Sequence, residues 1–173
     1  MANADLRPAS LERRARTILA AIADPEIPAV SIVDLGIVDT VVSDADGHLE
    51  VHLLPTFIGC PATEIIRTNV IGALADAGLN ATVSLVYDPP WSSERITARG
   101  REQLRASGFA PPSRDSLDPQ RLSQLRLSTV FVANCPYCGS ANTTMENLFG
   151  PTLCRSIYHC AKCKQPFESF KQL

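Results

Sequence analysis

Two pairs of closely spaced cysteines place the strongest constraint on how the C-terminal part of this chain folds. The pairs are Cys135-Pro-Tyr-Cys138 and Cys160-Ala-Lys-Cys163, and 21 residues separate them. A two-residue spacer lets both sulfurs of a pair reach one ion, and two such pairs complete the tetrahedral four-sulfur shell that suits structural zinc. The runs 143–149 and 153–159 flank Gly150-Pro151 and predict a hairpin between the pairs. The spacing therefore predicts a four-cysteine zinc ribbon over residues 129–173.

The size of this segment agrees with a metal-dependent fold. Residues 129–173 are too few to hold a fold by core burial alone, so a structural metal is expected. Cys154 is predicted to lie at the far end of the hairpin, about 20 Å from Cys160 at about 3.3 Å per residue, and so is not expected to be a ligand. The segment also holds six of the chain's ten aromatic residues, which either form a small core or leave a patch for a partner. These aromatic residues are Phe131, Tyr137, Phe149, Tyr158, Phe167 and Phe170.

The first part of the chain is organised around residues 56–61, Thr-Phe-Ile-Gly-Cys-Pro. An alternating apolar run over 49–54 predicts a strand before this stretch, and a helical pattern ending near Gly78 follows it. Pro61 suits the first helical position, which puts Cys60 at or beside the helix N-cap. Free backbone N–H groups there favour an anion, so a lowered thiol pKa and a better nucleophile and metal ligand are expected. The alternative is a small buried residue that fills space between strand and helix.

The remaining patterns of the first part predict a small α+β domain. A helix is expected from Ser10 to about Ile22, strands over 37–43 and 81–87, and a short helix ending near Ala106. The order α-β-β-α-β-α indicates a sandwich of helices on one sheet. Residues 110–128 are polar and proline-bearing, which is typical of a linker. We therefore predict a domain over 1–109, a linker over 110–128 and the ribbon over 129–173.

Residues 24–37 are expected to form a structured loop that presents carboxylates. If Asp24 and Glu26 approach Cys60, a thiolate and two carboxylates would offer soft and hard ligands to ferrous iron. Alternatively, Asp24 is a turn or cap residue and Glu26 a solvated charge. Trp91 is expected to be a packing anchor or a cover for the Cys60 loop.

Composition excludes some functional classes. The chain has 16 basic and 18 acidic side chains, a net charge of −2, and neither part carries the basic stripe that binds nucleic acid. No apolar run is long enough to span a bilayer, and the N-terminus lacks the pattern of a signal peptide. We therefore expect a cytoplasmic protein that binds neither nucleic acid nor membrane.

Four motifs in order give the first domain a resemblance to a known family. They are Asp24-Pro25-Glu26, Asp34-Leu35-Gly36, Thr56 with Gly59-Cys60-Pro61, and Pro90-Trp91. This domain resembles the metal–sulfur cluster assembly domain of SufT-type proteins and of the targeting subunit of the eukaryotic cytosolic iron–sulfur pathway. With the ribbon added, the whole chain resembles the PaaD (also called PaaJ) family of accessory subunits of bacterial phenylacetyl-CoA epoxidase.

The resemblance implies a compact α/β fold, leaves a homodimer open, and points to Asp24, Glu26, Thr56 and Cys60 as functional residues. The stretch Phe57-Ile58-Gly59 departs from some family members, which carry further hydroxyl or proline residues there. The implied role is that of an accessory subunit that is not catalytic by itself. Its partners would be the other epoxidase subunits or the iron–sulfur reductase.

Three functions stay open at this point. The first is a maturation factor for an iron–sulfur or di-iron centre of the complex, with transient iron or an iron–sulfur cluster as cargo and zinc held structurally. The second is a structural subunit that docks through the ribbon. The third, a thiol-dependent enzyme, lacks a histidine in an obvious position to act as base for Cys60.

Overall fold

The structure, a computed structural model, describes residues 8–112 and 133–171 of the chain. Contacts separate the chain into two units, Met1–Gly100 and Arg101–Leu173. Most of the predicted linker lies outside the described residues, as does Phe131. The predicted domain boundaries at residues 109 and 129 therefore stay predictions.

The first unit packs helices on a three-stranded sheet, in which the strands lie in the order β1 (Val38–Ser43), β2 (Leu49–Leu53) and β3 (Ala81–Leu85). Strands β1 and β2 form an antiparallel hairpin, and β3 runs parallel to β2 after the crossover helix α2. This arrangement confirms the predicted α+β class. The elements are α1 (Pro8–Leu19), β1 (Val38–Ser43), β2 (Leu49–Leu53), α2 (Ala62–Asp76), β3 (Ala81–Leu85), a 3-10 turn (Ser93–Arg95) and α3 (Ala98–Ala106), which continues into the second unit.

Hydrophobic periodicity explains why these segments form these elements. Helix α2 buries Ala62, Ile66, Val70 and Leu74, which lie on one stripe at intervals of four residues. Strand β2 buries every second residue, as expected for a strand with one face in a core. The ends differ slightly from expectation, since α1 stops at Leu19 and β3 stops at Leu85.

The loop between α1 and β1 is structured, as predicted, because its apolar side chains enter the core. Ile27, Val30, Ile32 and Leu35 are all buried, and a bridge pairs Ala23 with Ser31. The buried indole N–H of Trp91 donates a hydrogen bond to the Leu35 carbonyl over 3.0 Å. Trp91 is thus a packing anchor for this loop.

Asp34 ties the same loop to the segment before α3. Its buried carboxylate accepts hydrogen bonds from Thr97 at 2.7 Å and from Arg99 at 3.0 Å. Although burial opposes the shift, the hydrogen bonds from Arg99, Thr97 and Ser31 and the charge of Arg99 lower the pKa of Asp34. The predicted Asp34-Leu35-Gly36 motif therefore has a structural role.

The second unit carries the predicted hairpin within a four-stranded sheet, in which the strands lie in the order β4 (Phe109–Ala110), β7 (Pro166–Phe170), β6 (Arg155–Cys160) and β5 (Thr143–Asn147). Strands β5 (Thr143–Asn147) and β6 (Arg155–Cys160) form the hairpin, and β7 (Pro166–Phe170) adds to it antiparallel to β6. The two-residue strand β4 (Phe109–Ala110) pairs parallel to β7 and so belongs to the ribbon sheet. None of the helices in the described ranges is long and apolar enough to cross a membrane.

Candidate metal-handling site and zinc centre

A small cavity in the first unit brings together three of the four residues predicted to handle metal. Asp24, Thr56 and Cys60 line it together with Thr63. Its volume of about 20 Å³ admits one water-sized occupant. The remaining walls are apolar and consist of Ile37, Leu53, Pro55, Ile66 and Leu85.

A tight turn and the start of α2 hold Cys60 from both sides. The Cys60 N–H donates to the Phe57 carbonyl over 3.2 Å, and the Thr63 N–H donates to the Cys60 carbonyl over 3.1 Å. Gly59 has φ +83°, as the third residue of a type II turn requires. Pro61 is the N-cap residue with helical dihedral angles, φ −64° and ψ −25°. Cys60 therefore lies directly beside the N-cap, as predicted.

Asp24 is a turn residue that also lies at the Cys60 cavity. Its Oδ1 accepts hydrogen bonds from the N–H groups of Glu26 at 2.8 Å and Ile27 at 2.9 Å, which is the pattern of a capping turn. The same residue is buried and lines the Cys60 cavity. Glu26 is half-buried, and its charge acts on the Cys60 sulfur. Both acids of the loop are thus near the cysteine.

The predicted lowering of the Cys60 pKa is wrong, because the surroundings of the sulfur raise it. Burial is the largest cause, and the negative charges of Glu26 and Asp24 act in the same direction. The Ala62 N–H and the Thr63 hydroxyl act on the sulfur in the opposite direction and only partly offset these effects. In the absence of a cation, Cys60 is therefore a thiol at neutral pH. A cation held by the carboxylates would reverse their influence and favour the thiolate.

Thr63 is the residue of this site that sequence reasoning missed. The helical pattern assigned residue 63 to the first turn of α2 and gave its side chain no role. The available signal was its position three residues after Cys60, where a side chain in the first helical turn can reach back to the residue that precedes the helix. By contrast, no histidine is among the described residues that line the cavity.

Four sulfurs in the second unit lie together in the arrangement that the predicted zinc centre requires. The Sγ atoms of Cys135, Cys138, Cys160 and Cys163 all lie within 4.8 Å of one another. The Cys135–Cys163 and Cys138–Cys160 sulfur pairs are both 3.6 Å apart. Tetrahedral zinc with bonds of about 2.3 Å requires sulfurs about 3.8 Å apart, so the residues present fit the ion. Cys154 lies outside this cluster and contacts the Thr152 hydroxyl at 3.2 Å.

The two cysteine pairs are held by the same backbone arrangement. The Gly139 N–H donates to the Cys135 carbonyl over 2.8 Å, and the Lys164 N–H donates to the Cys160 carbonyl over 2.9 Å. Both closing residues have a left-handed backbone, with φ +71° at Gly139 and +61° at Lys164. In the second pair, the N–H groups of Cys163 and Lys162 donate to the Cys160 sulfur and lower its pKa to about 6. Although the Gln165 N–H opposes the shift, desolvation and the neighbouring sulfurs raise the pKa of Cys163, so the pair favours one thiolate rather than two when no cation is bound.

Comparison with known proteins agrees with this arrangement over nearly the whole chain. Residues 120–171 match the PaaD zinc beta ribbon domain. An Escherichia coli (strain K12) protein, provisionally assigned as a subunit of 1,2-phenylacetyl-CoA epoxidase, is 36% identical over 155 residues. That alignment covers 89% of this chain and 88% of the relative. This chain belongs to the PaaD family.

The first unit of this PaaD-family chain matches a second group of proteins. Residues 12–85 match a family described as iron–sulfur cluster assembly protein. The Fe-S protein maturation auxiliary factor YitW of Bacillus subtilis (strain 168) is 37% identical over 78 residues, which cover 44% of this chain and 76% of that protein. A crystal structure of a DUF59 domain from Bacillus anthracis superposes with a TM-score of 0.53 at 31% identity and covers 56% of this chain and 93% of that one.

The aromatic residues of the PaaD ribbon divide into a core set and an exposed set. Tyr158 and Phe167 are buried and stack with ring centroids 5.6 Å apart. Phe149 is 65% exposed and Tyr137 is 59% exposed. The expected small core is therefore present, and two further aromatic residues of the ribbon are exposed.

Proposed function

We propose that this chain is an accessory subunit that handles iron for a phenylacetyl-CoA epoxidase complex, with Cys60, Asp24, Glu26 and Thr56 as the transient contacts of the ion. The observation that carries the proposal is the shared cavity of Asp24, Thr56 and Cys60, with the charge of Glu26 acting on the sulfur. The names of the relatives support it, since one is provisionally assigned as an epoxidase subunit and another is called a maturation auxiliary factor.

The chemistry of the site suits loading and release of an ion. The carboxylates are hard ligands that attract a divalent cation, and the thiol of Cys60 becomes a soft ligand once it loses its proton. Because this site offers fewer protein ligands than a closed four-ligand shell, it would hold an ion less firmly. The cavity volume of about 20 Å³ favours a single ion over a polynuclear cluster as cargo. Structural zinc in the ribbon would hold its two cysteine pairs together and takes no part in this transfer.

The iron content of the recipient oxygenase tests this proposal. The full chain, as wild type or Cys60→Ser, would be produced together with the other epoxidase subunits, and iron in the purified oxygenase would be measured by mass spectrometry. We expect Cys60→Ser to yield iron-deficient oxygenase, and we expect normal iron with Cys154→Ala, which alters the other cysteine outside the zinc centre. Normal iron loading by Cys60→Ser would refute the proposal.

A docking role without metal transfer is the second candidate, and exposed apolar side chains on the ribbon favour it. Leu148, Phe149 and Leu153 are 48%, 65% and 43% exposed and all lie at the tip of the β5–β6 hairpin. Under this candidate, Phe149→Ala weakens co-purification with the oxygenase while Cys60→Ser leaves both co-purification and iron content unchanged. Tyr158 is unsuited to direct contact with a partner, because it is buried.

A further inference from the structure

We propose that the hairpin tip, residues 148–154 between β5 and β6, inserts into an apolar pocket of a partner protein, and that Lys171 pairs with a carboxylate at the rim of that pocket. Phe149 is the apolar anchor of this contact. Leu148 and Leu153 flank the anchor and, like Phe149, are exposed. The partner is another subunit of the epoxidase complex, a part of the inference that rests on the proposed function.

Hydrogen bonds hold the hairpin tip in one shape. The Phe149 N–H donates to the Asn147 Oδ1 over 2.9 Å, and the Gly150 N–H donates to the Arg155 carbonyl over 2.9 Å. The loop closes tightly there, because a Cβ added at Gly150 would lie 3.0 Å from the Arg155 carbonyl carbon and oxygen. A loop that is already ordered loses little conformational entropy on binding, so its exposed side chains are suited to act as anchors.

Lys171 brings a positive charge to the hairpin tip from the end of β7. Its backbone N–H donates to the Cys154 carbonyl over 2.8 Å, and its Nζ donates to the Leu153 carbonyl over 2.7 Å. The same Nζ lies 5.1 Å from the centroid of the Phe149 ring, within the range of a cation–π interaction. These contacts fix the ammonium group beside the apolar anchor.

The ammonium group of Lys171 keeps capacity for an acidic partner group. It has three N–H donors, of which the Leu153 carbonyl accepts one. None of the ion pairs formed among residues 8–112 and 133–171 includes Lys171. A carboxylate on the partner therefore complements the charge of the hairpin tip. A rim position leaves this pair partly hydrated, which avoids the full cost of burying two charges and still orients the partner.

The small size of the apolar patch favours insertion into a pocket over pairing with a second copy of this chain. A standard flat interface buries about 800 Å² on each partner, far more than three exposed side chains supply. By contrast, one aromatic anchor in a well-packed pocket can carry a large share of the binding energy. Symmetric pairing of two hairpin tips would also bring two Lys171 ammonium groups together, which is unfavourable.

The affinity of the full-length, zinc-saturated chain for the other purified epoxidase subunits tests this inference. Biolayer interferometry would compare the variants, with zinc content measured for each one. We expect Phe149→Ala to weaken binding about tenfold. Lys171→Met should weaken binding about fivefold at about 50 mM sodium chloride and about twofold at about 300 mM, because salt screens the charge pair. Lys171→Arg should bind within about twofold of the wild type, since it keeps the cation beside the Phe149 ring.

Tyr137→Ala is the matched control, because Tyr137 is also an exposed aromatic residue of the ribbon but lies outside the hairpin tip. Its affinity should equal that of the wild type. If Phe149→Ala fails to retain zinc, Leu153→Ala carries the same expectation with a loss of about threefold.

Several outcomes would overturn the docking of the hairpin tip. Unchanged affinity in Phe149→Ala, or no binding by the wild type, would remove the contact. A loss in Lys171→Met that is equal at both salt concentrations would remove the carboxylate. Dimers of the wild type in light scattering that Phe149→Ala abolishes would make a second copy the occupant. Normal iron with Cys60→Ser would refute the proposed iron handling and leave the docking intact, whereas unchanged affinities of the tip variants would refute only the docking.

Discussion

Gly36 is the position in the first unit where a single methyl group should be most damaging. Its φ is +71°, and a Cβ added there would lie 2.5 Å from the Arg95 Cβ and 2.7 Å from the Arg95 carbonyl oxygen. Because those atoms are on or next to the backbone, they cannot move aside as a flexible side-chain end would. The left-handed backbone costs an alanine about 1–2 kcal/mol, and the forced overlap adds about 1–3 kcal/mol. We therefore expect Gly36→Ala to lower the free energy of unfolding by about 2–5 kcal/mol.

Two other glycines of the same unit provide matched controls. Gly59 has φ +83° but open space around its missing Cβ, so Gly59→Ala should cost only the backbone term of about 1–2 kcal/mol. Gly72 lies within α2 with open space, so Gly72→Ala should raise the free energy of unfolding by about 0.5–1 kcal/mol. The same chemical change thus has three different expected outcomes.

Trp91 provides the assay for this series. It is the only tryptophan of the chain, it is buried, and it donates to the carbonyl of Leu35, the residue before Gly36. Its fluorescence during urea unfolding therefore reports on the first unit, and linear extrapolation gives the free energy for each variant. A loss in Gly36→Ala no larger than that in Gly59→Ala would refute the reasoning from the close approach of Arg95.

Three further predictions concern charge and backbone. Asp24→Asn keeps the side-chain oxygen that accepts the N–H groups of Glu26 and Ile27, but it removes a charge that raises the pKa of Cys60. Alkylation of Cys60 by iodoacetamide at pH 7.5 should therefore accelerate severalfold. An unchanged rate would contradict the proximity of Asp24 to Cys60. Because the pKa of Asp34 is lowered in the folded state, its contribution to stability is complete above the unfolded value of about 3.9 and is lost as the pH falls through the folded value. Unfolding followed by Trp91 fluorescence should therefore show acid destabilisation that is weaker in Asp34→Asn. Lys164→Gly should remove the strain of a left-handed backbone at φ +61° and stabilise the zinc-bound ribbon by about 1 kcal/mol. The urea concentration at the midpoint of zinc release should therefore be higher for this variant than for the wild type.

Part of the fold was beyond sequence reasoning for a physical reason. The strand β4 is two residues long, which is too short to show any periodicity, and it pairs with β7 across a wide sequence separation. Nothing local in Phe109 or Ala110 indicates that partner. The hairpin of β1 and β2 was predictable because both strands and their turn lie within one continuous stretch of sequence.

Sequence alone was sufficient to predict the four-cysteine cluster of the zinc ribbon and the family. Two residues between the cysteines of each pair are enough to define which sulfurs share an ion, because that geometry is local. The ionisation of Cys60 is a different kind of property. Neighbours in the sequence supply N–H and O–H donors that favour the thiolate, but burial and the charges of Asp24 and Glu26 come from tertiary packing. Only the folded chain decides the sign, because desolvation and charge act through space and outweigh the local donors at this sulfur.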